Sequence, residues 1–400
     1  MQVIRGARLF DGLTARVGRP SVLVKGRRIV DVDLTGAEPP AHAHIVDLGE
    51  VTLLPGLVDA HIHLGFDPTG DPVHQMLCAD EATLLDRMRC NARQALRAGI
   101  TTMRDLGDRG YLGVTLRDRP TFDEDPLPEV LAAGPPITPT GGHCWFLGGQ
   151  ADGIDGVTRA VTERAERGVD TVKIMATGGM LTPGWGLHES QYGRAELAAA
   201  TATAHRAGLP LTAHAHGPQG IRDAVAAGAD GIEHCTFATE TGVELDRTTV
   251  DAMAAAGTFV GATEAWLPDG PPLPPVAVAR LDRCWANFAL MHRAGVRVVC
   301  CSDAGIGPRK PHDVLPHGVV LFGSIGFSNA DALAAATAHA AAACGCGHRK
   351  GRILPGYDAD ILAVAGDPMV RLDALFDVRA VFRAGVAVVE GQDTRRETGR

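Results

Sequence analysis

The spacing of hydrophobic positions changes twice along the chain and divides it into three segments. In residues 1–55, short strand-like runs are separated by turn signals such as Asp11-Gly12, which predicts β-strands. In residues 56–354, short apolar runs alternate with Ala-rich stretches of helical length, and residues 355–400 return to the first pattern. We therefore expect one small β domain built from both ends of the chain and a larger middle domain.

The middle segment repeats a predicted strand followed by a predicted helix. Repeated units of this kind form a parallel sheet, and eight of them close into a barrel. The predicted strands end near His63, Asp105, Thr138, Thr177, His214, His234, Thr263 and Asp303. The predicted helices include residues 80–98, 155–167, 193–207, 219–227 and 276–294. The expected fold class is therefore α/β, with a (β/α)8 TIM-like barrel in the middle of the chain.

Composition and charge narrow the classes of partner. The chain has 400 residues, which suits a barrel of about 250 to 300 residues with an additional small domain. Hydrophobic residues make up 45% of the chain and charged residues 21%, which supports a large core. The net charge of -9 is spread along the chain without a basic run, so nucleic acid is not an expected partner.

The sequence carries no signal for export or for a membrane. The N-terminus lacks a signal-peptide pattern, and no apolar stretch is long enough to cross a membrane. The nine cysteines follow no disulfide framework, and Cys344-Gly345-Cys346 lacks the spacing of a zinc knuckle, so reduced thiols are expected. We expect a cytoplasmic protein without membrane attachment.

Chemically active side chains occur where the predicted apolar strands end. In a parallel barrel these ends converge on the face that carries active sites. Imidazole and carboxylate groups are ligands that zinc takes from proteins. The residues concerned are His61, His63, Lys173, His214, His234 and Asp303. Their convergence predicts a metal site.

Two pairs of histidines occur at alternate positions. His61 and His63 lie two residues apart, so on a strand they face the same side and can reach one metal ion. His214 and His216 have the same spacing, and either can bind metal, but His214 is favoured because it lies nearer the strand end. His216 is then expected to contact a ligand or the substrate. A core histidine satisfied by the backbone is the competing interpretation for either residue alone.

Lys173 and Asp303 are charged residues in apolar runs, and each has competing interpretations. An uncompensated buried lysine is costly. Lys173 therefore pairs with a carboxylate, titrates at a depressed pKa, or has taken up carbon dioxide as a neutral amine to form a carbamate that bridges two metal ions. Asp303 either caps the following helix or binds metal and moves protons for bound water. The other candidate ligands favour the metal interpretation for Asp303.

Together, these motifs resemble the amidohydrolase superfamily, and within it the imidazolonepropionase-like and metal-dependent prolidase-like branch. The resemblance covers nearly the whole chain. Its segments are residues 55–63, 99–107, 137–143, 172–179, 213–217, 231–234, 302–305 and 356–361. It implies a TIM-like barrel, residues 56–354, joined to a urease-like β-sandwich that residues 1–55 and 355–400 form together.

The resemblance also implies a binuclear zinc centre and a hydrolytic mechanism. One or two zinc ions are expected, and two are favoured. The implied first site is His61, His63 and Asp303, the implied second site is His214 and His234, and a carboxylated Lys173 bridges them with a hydroxide. Asp303 would act as general base and acid, and His143 would contact a carbonyl oxygen or a substrate carboxylate. A simple turn residue is the competing interpretation for His143.

Three tryptophans are expected near the substrate. Aromatic residues make up only 4% of the chain, yet Trp145, Trp185 and Trp266 all fall in predicted barrel loops. This distribution indicates an apolar substrate pocket, with loop packing as the competing interpretation.

The expected function is zinc-dependent hydrolysis of an amide bond in a peptide or N-acyl amino acid, in a carboxypeptidase-like manner. Two alternatives are a dedicated biosynthetic enzyme that trims a modified peptide, as in follower removal during bottromycin-type maturation, and a cyclic-amide or lactone hydrolase. A non-catalytic scaffold is disfavoured because every ligand position is filled. A small molecule or short peptide is the expected partner, and the chain is expected to form a homo-oligomer.

Overall fold

The computed structural model of the chain describes residues 1–119, 125–272 and 275–390. The strands are β1 (Gln2–Arg5), β2 (Arg8–Phe10), β3 (Ala15–Arg16), β4 (Ser21–Lys25), β5 (Arg28–Asp33), β6 (His44–Asp47), β7 (Val51–Pro55), β8 (Leu57–Ile62), β9 (Ile100–Asp105), β10 (Glu129–Ala132), β11 (Val172–Met175), β12 (Leu211–Ala215), β13 (Gly231–His234), β14 (Phe259–Ala262), β15 (Arg297–Cys300), β16 (Ile361–Ala365), β17 (Val378–Arg383) and β18 (Val386–Glu390). The helices are α1 (Pro72–Cys78), α2 (Glu81–Arg97), α3 (Leu112–Arg117), α4 (Gly153–Glu166), α5 (Arg194–Arg206), α6 (Pro218–Ala226), α7 (Arg247–Ala256), α8 (Pro275–Arg293), α9 (Leu315–Ser324), α10 (Asn329–Ala335) and α11 (Ala338–Ala343), with short 3₁₀ helices at Trp145–Leu147 and Leu372–Phe376.

Strands from both ends of the chain pair with one another. One sheet has the order β5-β4-β1-β6, and the other has the order β18-β17-β16-β7-β2-β3. In the second sheet β16 runs antiparallel to β7, with Ile361 opposite Pro55. A hydrophobic cluster that includes Ile4, Leu53 and Phe382 joins side chains from the two sheets. The domain boundaries at residues 55 and 354 remain predictions, and residues 391–400 of the predicted C-terminal segment lie outside the described residues.

The middle of the chain forms two parallel sheets, which confirms the α/β fold class. Their orders are β10-β9-β8 and β11-β12-β13-β14-β15. Single parallel bridges connect the sheets, between Ile137 and Ile174 and between Ile62 and Ala304. The ladder after β10 is interrupted at Pro135 and Pro136, which have no N–H to donate. Among the described residues the hydrogen-bonded ladders do not close into one sheet, so the closed barrel remains a prediction.

Helix α2 shows how the sequence specifies a helix and where it ends. The side chain of Asp80 accepts a hydrogen bond from the backbone N–H of Thr83 and caps the first turn. Leu84 and Met88, which lie one turn apart, are buried on the face that packs inward. Gly99 ends the helix at φ +86°, a conformation that favours glycine.

Within the described ranges, no helix combines the length and apolar character that a membrane span needs.

The parallel strands carry polar side chains into the interior at one end of the sheets. Every residue of β8, β11, β12 and β13 is buried, which is typical of strands covered on both faces. Because the strands are parallel, their C-terminal ends lie at the same end of the sheets. The candidate site lies at that end.

Candidate active site

A first cluster brings together His61, His63 and Asp303. His61 Nε2 lies 3.5 Å and His63 Nε2 lies 3.3 Å from Asp303 Oδ1. Burial lowers the pKa of His61 to about 4. Burial raises the pKa of Asp303, but the charges of His61 and His63 outweigh burial and lower it below the usual range. The two rings therefore point toward one carboxylate oxygen, as ligands of a shared metal ion do.

A second cluster brings together His214, His216 and His234. One ring nitrogen of each lies within 4.8 Å of the others. Burial holds the pKa of His214 and His234 well below the usual value and lowers the pKa of His216 to about 3. All three rings are therefore neutral at pH 7, the form that binds zinc. The geometry does not separate His214 from His216 as a ligand, so the choice between them remains a prediction.

The two clusters adjoin, and Lys173 lies beside both. The ring centroids of His61 and His234 are 5.0 Å apart. Lys173 is 1% exposed, and its Nζ atom has no hydrogen-bond partner among the described residues. Burial lowers the pKa of Lys173 to about 8, although Glu233 and Asp303 raise it. No carboxylate in the described part of the chain lies within ion-pair distance of this amine, so the paired-lysine interpretation has no support.

Glu233 is a functional candidate that sequence reasoning missed. Its Oε2 accepts a hydrogen bond from His61 Nδ1 at 2.8 Å, which leaves His61 Nε2 facing Asp303. Its Oε1 accepts hydrogen bonds from Arg104 Nη2 at 2.9 Å and Thr212 Oγ1 at 2.7 Å. The sequence contained one signal, an acidic residue in an apolar strand beside a predicted ligand.

Backbone conformation explains how neighbouring residues on β13 reach the same site. Successive side chains on a strand point to opposite faces. His234, however, has φ +67°, in the left-handed region that non-glycine residues rarely adopt. Asp303 shares this feature with φ +54°. Such strain clusters at functional sites, and periodicity in the sequence does not reveal it.

His143 lies against the second cluster. Its ring centroid is 4.7 Å from that of His214, and its Nδ1 is buried without a hydrogen-bond partner among the described residues. Burial lowers the pKa of His143 to about 4, so the ring is neutral at pH 7. Gly179 leaves room for the ring, because a Cβ atom there would lie 2.2 Å from His143 Nε2.

Both clusters, Lys173 and His143 line a cavity of about 510 Å³. Much of its remaining wall is apolar. The apolar lining residues include Phe66, Met180, Leu181, Leu187, Val243, Leu281 and Ile306. The cavity therefore combines a polar histidine-rich region with space for a hydrophobic group.

The predicted substrate-binding tryptophans separate into two groups. Trp266 lines the cavity. Trp145 and Trp185 do not line it. Trp145 is 39% exposed and packs edge-on against Phe146, and the indole of Trp185 donates to the carbonyl oxygen of Gly141 at 3.2 Å. These contacts are with loop residues, and a role of Trp145 and Trp185 in substrate binding remains a prediction.

Three charged residues of the cavity wall were not predicted. They are Glu264, Arg280 and Lys310. Arg280 lies on α8, and its Nη2 donates to the carbonyl oxygens of Thr239 and Glu240. No sequence motif links these positions, because packing between distant loops and a helix brings them to one wall.

Similarity to known proteins extends over most of the chain. The sequence matches the family model described as Amidohydrolase family over residues 52–388. It is 26% identical over 367 residues to ochratoxinase from Aspergillus niger, covering 82% of this chain and 73% of that protein. It is 27% identical to imidazolonepropionase from Salinispora arenicola, covering 97% and 94% of the two chains. A solved Xaa-Pro dipeptidase with methionine bound in its active site superposes with a TM-score of 0.85 at 27% identity, covering 98% of this chain and 100% of that one.

Proposed function

Because this chain belongs to the amidohydrolase family and is a hydrolase of amide carbon–nitrogen bonds, we propose that it uses zinc to cleave a short peptide or an N-acyl amino acid. The observation that carries the proposal is the meeting of the two histidine clusters beside Lys173 in one cavity. A volume of about 510 Å³ suits a small substrate. The names of the relatives favour amide substrates but do not identify a particular substrate.

The donor set fits two zinc ions. We assign one ion to His61, His63 and Asp303 and the other to His234 with His214, for which His216 is an alternative. Lys173 would add a carboxylate-like ligand for these ions when its neutral amine combines with carbon dioxide and loses a proton to give a carbamate. The unpartnered Nζ in a buried position supports this assignment, because a bare amine there satisfies none of its donors. Bound zinc supplies Lewis acidity and lowers the pKa of a coordinated water.

Different residues of the chain then transfer protons and bind the substrate. Asp303 is a carboxylate at neutral pH, so it accepts a proton from the attacking water and passes it to the departing amine. Neutral His143 donates a hydrogen bond to an oxygen of the substrate. Arg280, whose guanidinium group has no ion pair among the described residues, offers a site for a substrate carboxylate.

The finer architecture belongs to the same proposal. We propose that β8 to β15 form the closed barrel of the family, joined where Ile137 meets Ile174 and where Ile62 meets Ala304. The sheets from residues 1–55 and 355–400 would form the accompanying β-sandwich. Nine free thiols fit a reducing cytoplasm.

The proposal is tested by mass-spectrometric detection of cleavage products. Zinc-treated protein is incubated with apolar dipeptides and N-acetyl dipeptides, each with a free or an amidated carboxyl terminus. We expect cleavage of free acids, with loss of about 100- to 10,000-fold in rate for Asp303→Asn. Equal cleavage of amidated substrates would remove the carboxypeptidase-like assignment, and no cleavage in any set would contradict the proposed substrate class.

A further inference from the structure

Glu264 is a buried carboxylate of the cavity wall that the proposed reaction does not use. It is 6% exposed. Its Oε2 accepts hydrogen bonds from the indole N–H groups of Trp266 at 3.3 Å and Trp285 at 3.0 Å. No basic side chain of the described residues lies within ion-pair distance of it. Two rigid indoles therefore hold the carboxylate in one orientation.

The second oxygen of Glu264 is left for a ligand. Oε1 accepts no hydrogen bond from the described residues, and it is not among the enclosed unpartnered atoms. The nearby ammonium group of Lys310 donates instead to the carbonyl oxygens of Thr263 and Ser302, each at 2.7 Å. Its Nζ also lies 4.0 Å from the ring centroid of Trp266. The ammonium group of Lys310 thus binds backbone carbonyl groups of the cavity wall and does not donate to Glu264.

The residues that line the cavity indicate which kind of ligand group Glu264 binds. Among the described residues that line the cavity, Glu264 and Asp303 are the only acidic ones. When a ligand displaces water from this wall, an unpaired carboxylate oxygen costs free energy unless the ligand donates to it. A cationic donor compensates that cost most strongly.

We propose that Glu264 binds the protonated amino group of the substrate, so that the enzyme prefers short peptides with a free amino terminus to N-acylated ones. This inference rests on the proposed amide hydrolysis and narrows its substrate class. An N-acetyl group removes the positive charge and all but one of the N–H donors, so Glu264 then faces a neutral amide. Sites built to pair with a polar group reject analogues that lack it more strongly than apolar pockets reject an extra group.

The test compares leucyl-phenylalanine and methionyl-proline with their N-acetyl derivatives. In the wild-type enzyme we expect kcat/KM to favour the free amines by about 10- to 100-fold, the range for a charge-assisted hydrogen bond. Glu264→Gln should remove most of this preference while it retains cleavage of the N-acetyl peptides. Glu240→Gln is the matched control, since it makes the same chemical change at an exposed position and should retain the preference.

The outcomes distinguish this inference from the proposed function. Equal or better cleavage of the N-acetyl peptides, or an equal loss on both sets in Glu264→Gln, would overturn the role of Glu264 while amide hydrolysis stands. If neither set is cleaved, the proposed substrate class fails, and calorimetric binding to Asp303→Asn decides the role of Glu264. Tighter binding of the free amines that disappears in the doubly substituted Asp303→Asn, Glu264→Gln protein would support it. Equal affinities would refute it.

Discussion

At the scale of single residues, the candidate site depends on how each imidazole is oriented. Glu233 holds His61 Nδ1 through a 2.8 Å hydrogen bond, and Arg104 holds Glu233 in turn. A carboxylate behind a histidine fixes its tautomer and directs the other ring nitrogen toward a metal ion. The hydroxyl group of Thr263, whose Oγ1 lies 2.9 Å from His234 Nδ1, likewise restricts the orientation of that ring.

Substitution Glu233→Gln should weaken metal binding without removing a ligand. The side-chain amide of the glutamine places an N–H group against one of the groups that donated a hydrogen bond to Glu233. His61 is then no longer held in a single orientation. We expect the zinc dissociation constant to rise about 10- to 100-fold, measured by competition with a chromogenic chelator. Glu166→Gln, at an exposed position on α4, is the control and should bind zinc as the wild type does. Unchanged affinity in Glu233→Gln would show that Glu233 does not position His61.

Substitution Gly179→Ala should displace His143. The added Cβ atom would lie 2.2 Å from His143 Nε2, so the ring must move. Because small displacements of a positioned group lower rates strongly, we expect kcat to fall about 100-fold on whichever amide substrate the screen identifies. Gly307→Ala is a suitable control, since no atom lies within 4 Å of a Cβ there. If both variants retain full activity, His143 does not contact the reacting amide.

At the scale of elements, charged residues tie the parallel sheets to the C-terminal segment. Glu129 begins β10, and its carboxylate pairs with Lys350 Nζ at 3.1 Å and with Arg383 Nη2 at 3.4 Å. Arg349 also donates to it. Burial raises the pKa of Glu129, but these cations outweigh burial and lower it from 4.5 to about 2. A carboxyl group whose pKa is depressed on folding stabilises the folded state above its unfolded pKa.

Substitution Glu129→Gln should therefore destabilise the fold in a pH-dependent manner. At pH 7 we expect the free energy of unfolding in urea to fall by on the order of 3 kcal/mol. The difference from the wild type should shrink as the pH drops below about 4.5 toward 2, because in that window Glu129 takes up a proton in the unfolded chain before it does so in the folded protein. Asp373→Asn, at an exposed ion pair with Arg371, should leave the unfolding curve nearly unchanged. A difference for Glu129→Gln that is independent of pH would contradict this account.

At the scale of the whole molecule, the sequence predicted the candidate metal ligands better than the other residues that line the cavity. Residues as distant as His61 and Asp303 were predicted to meet because both lie at the C-terminal ends of apolar runs, and parallel strands end together. The family and the hydrolytic class are confirmed by the comparisons. Glu264 and Arg280 were missed because the wall they share is made by packing between remote segments, which has no local periodicity. Which of the predicted tryptophans line the cavity could not be predicted for a related reason: a position in a loop does not determine which way the loop folds.

The most direct test of the account is native mass spectrometry of protein purified with zinc and bicarbonate. This one spectrum counts bound zinc ions and detects the mass that carbon dioxide adds to a lysine. We expect two zinc ions and one carbon dioxide per chain for the wild type, and loss of the carbon dioxide together with weakened zinc binding for Lys173→Met. A wild-type chain that carries less than one zinc ion under these conditions would contradict the proposal that the two histidine clusters form a metal centre for amide hydrolysis.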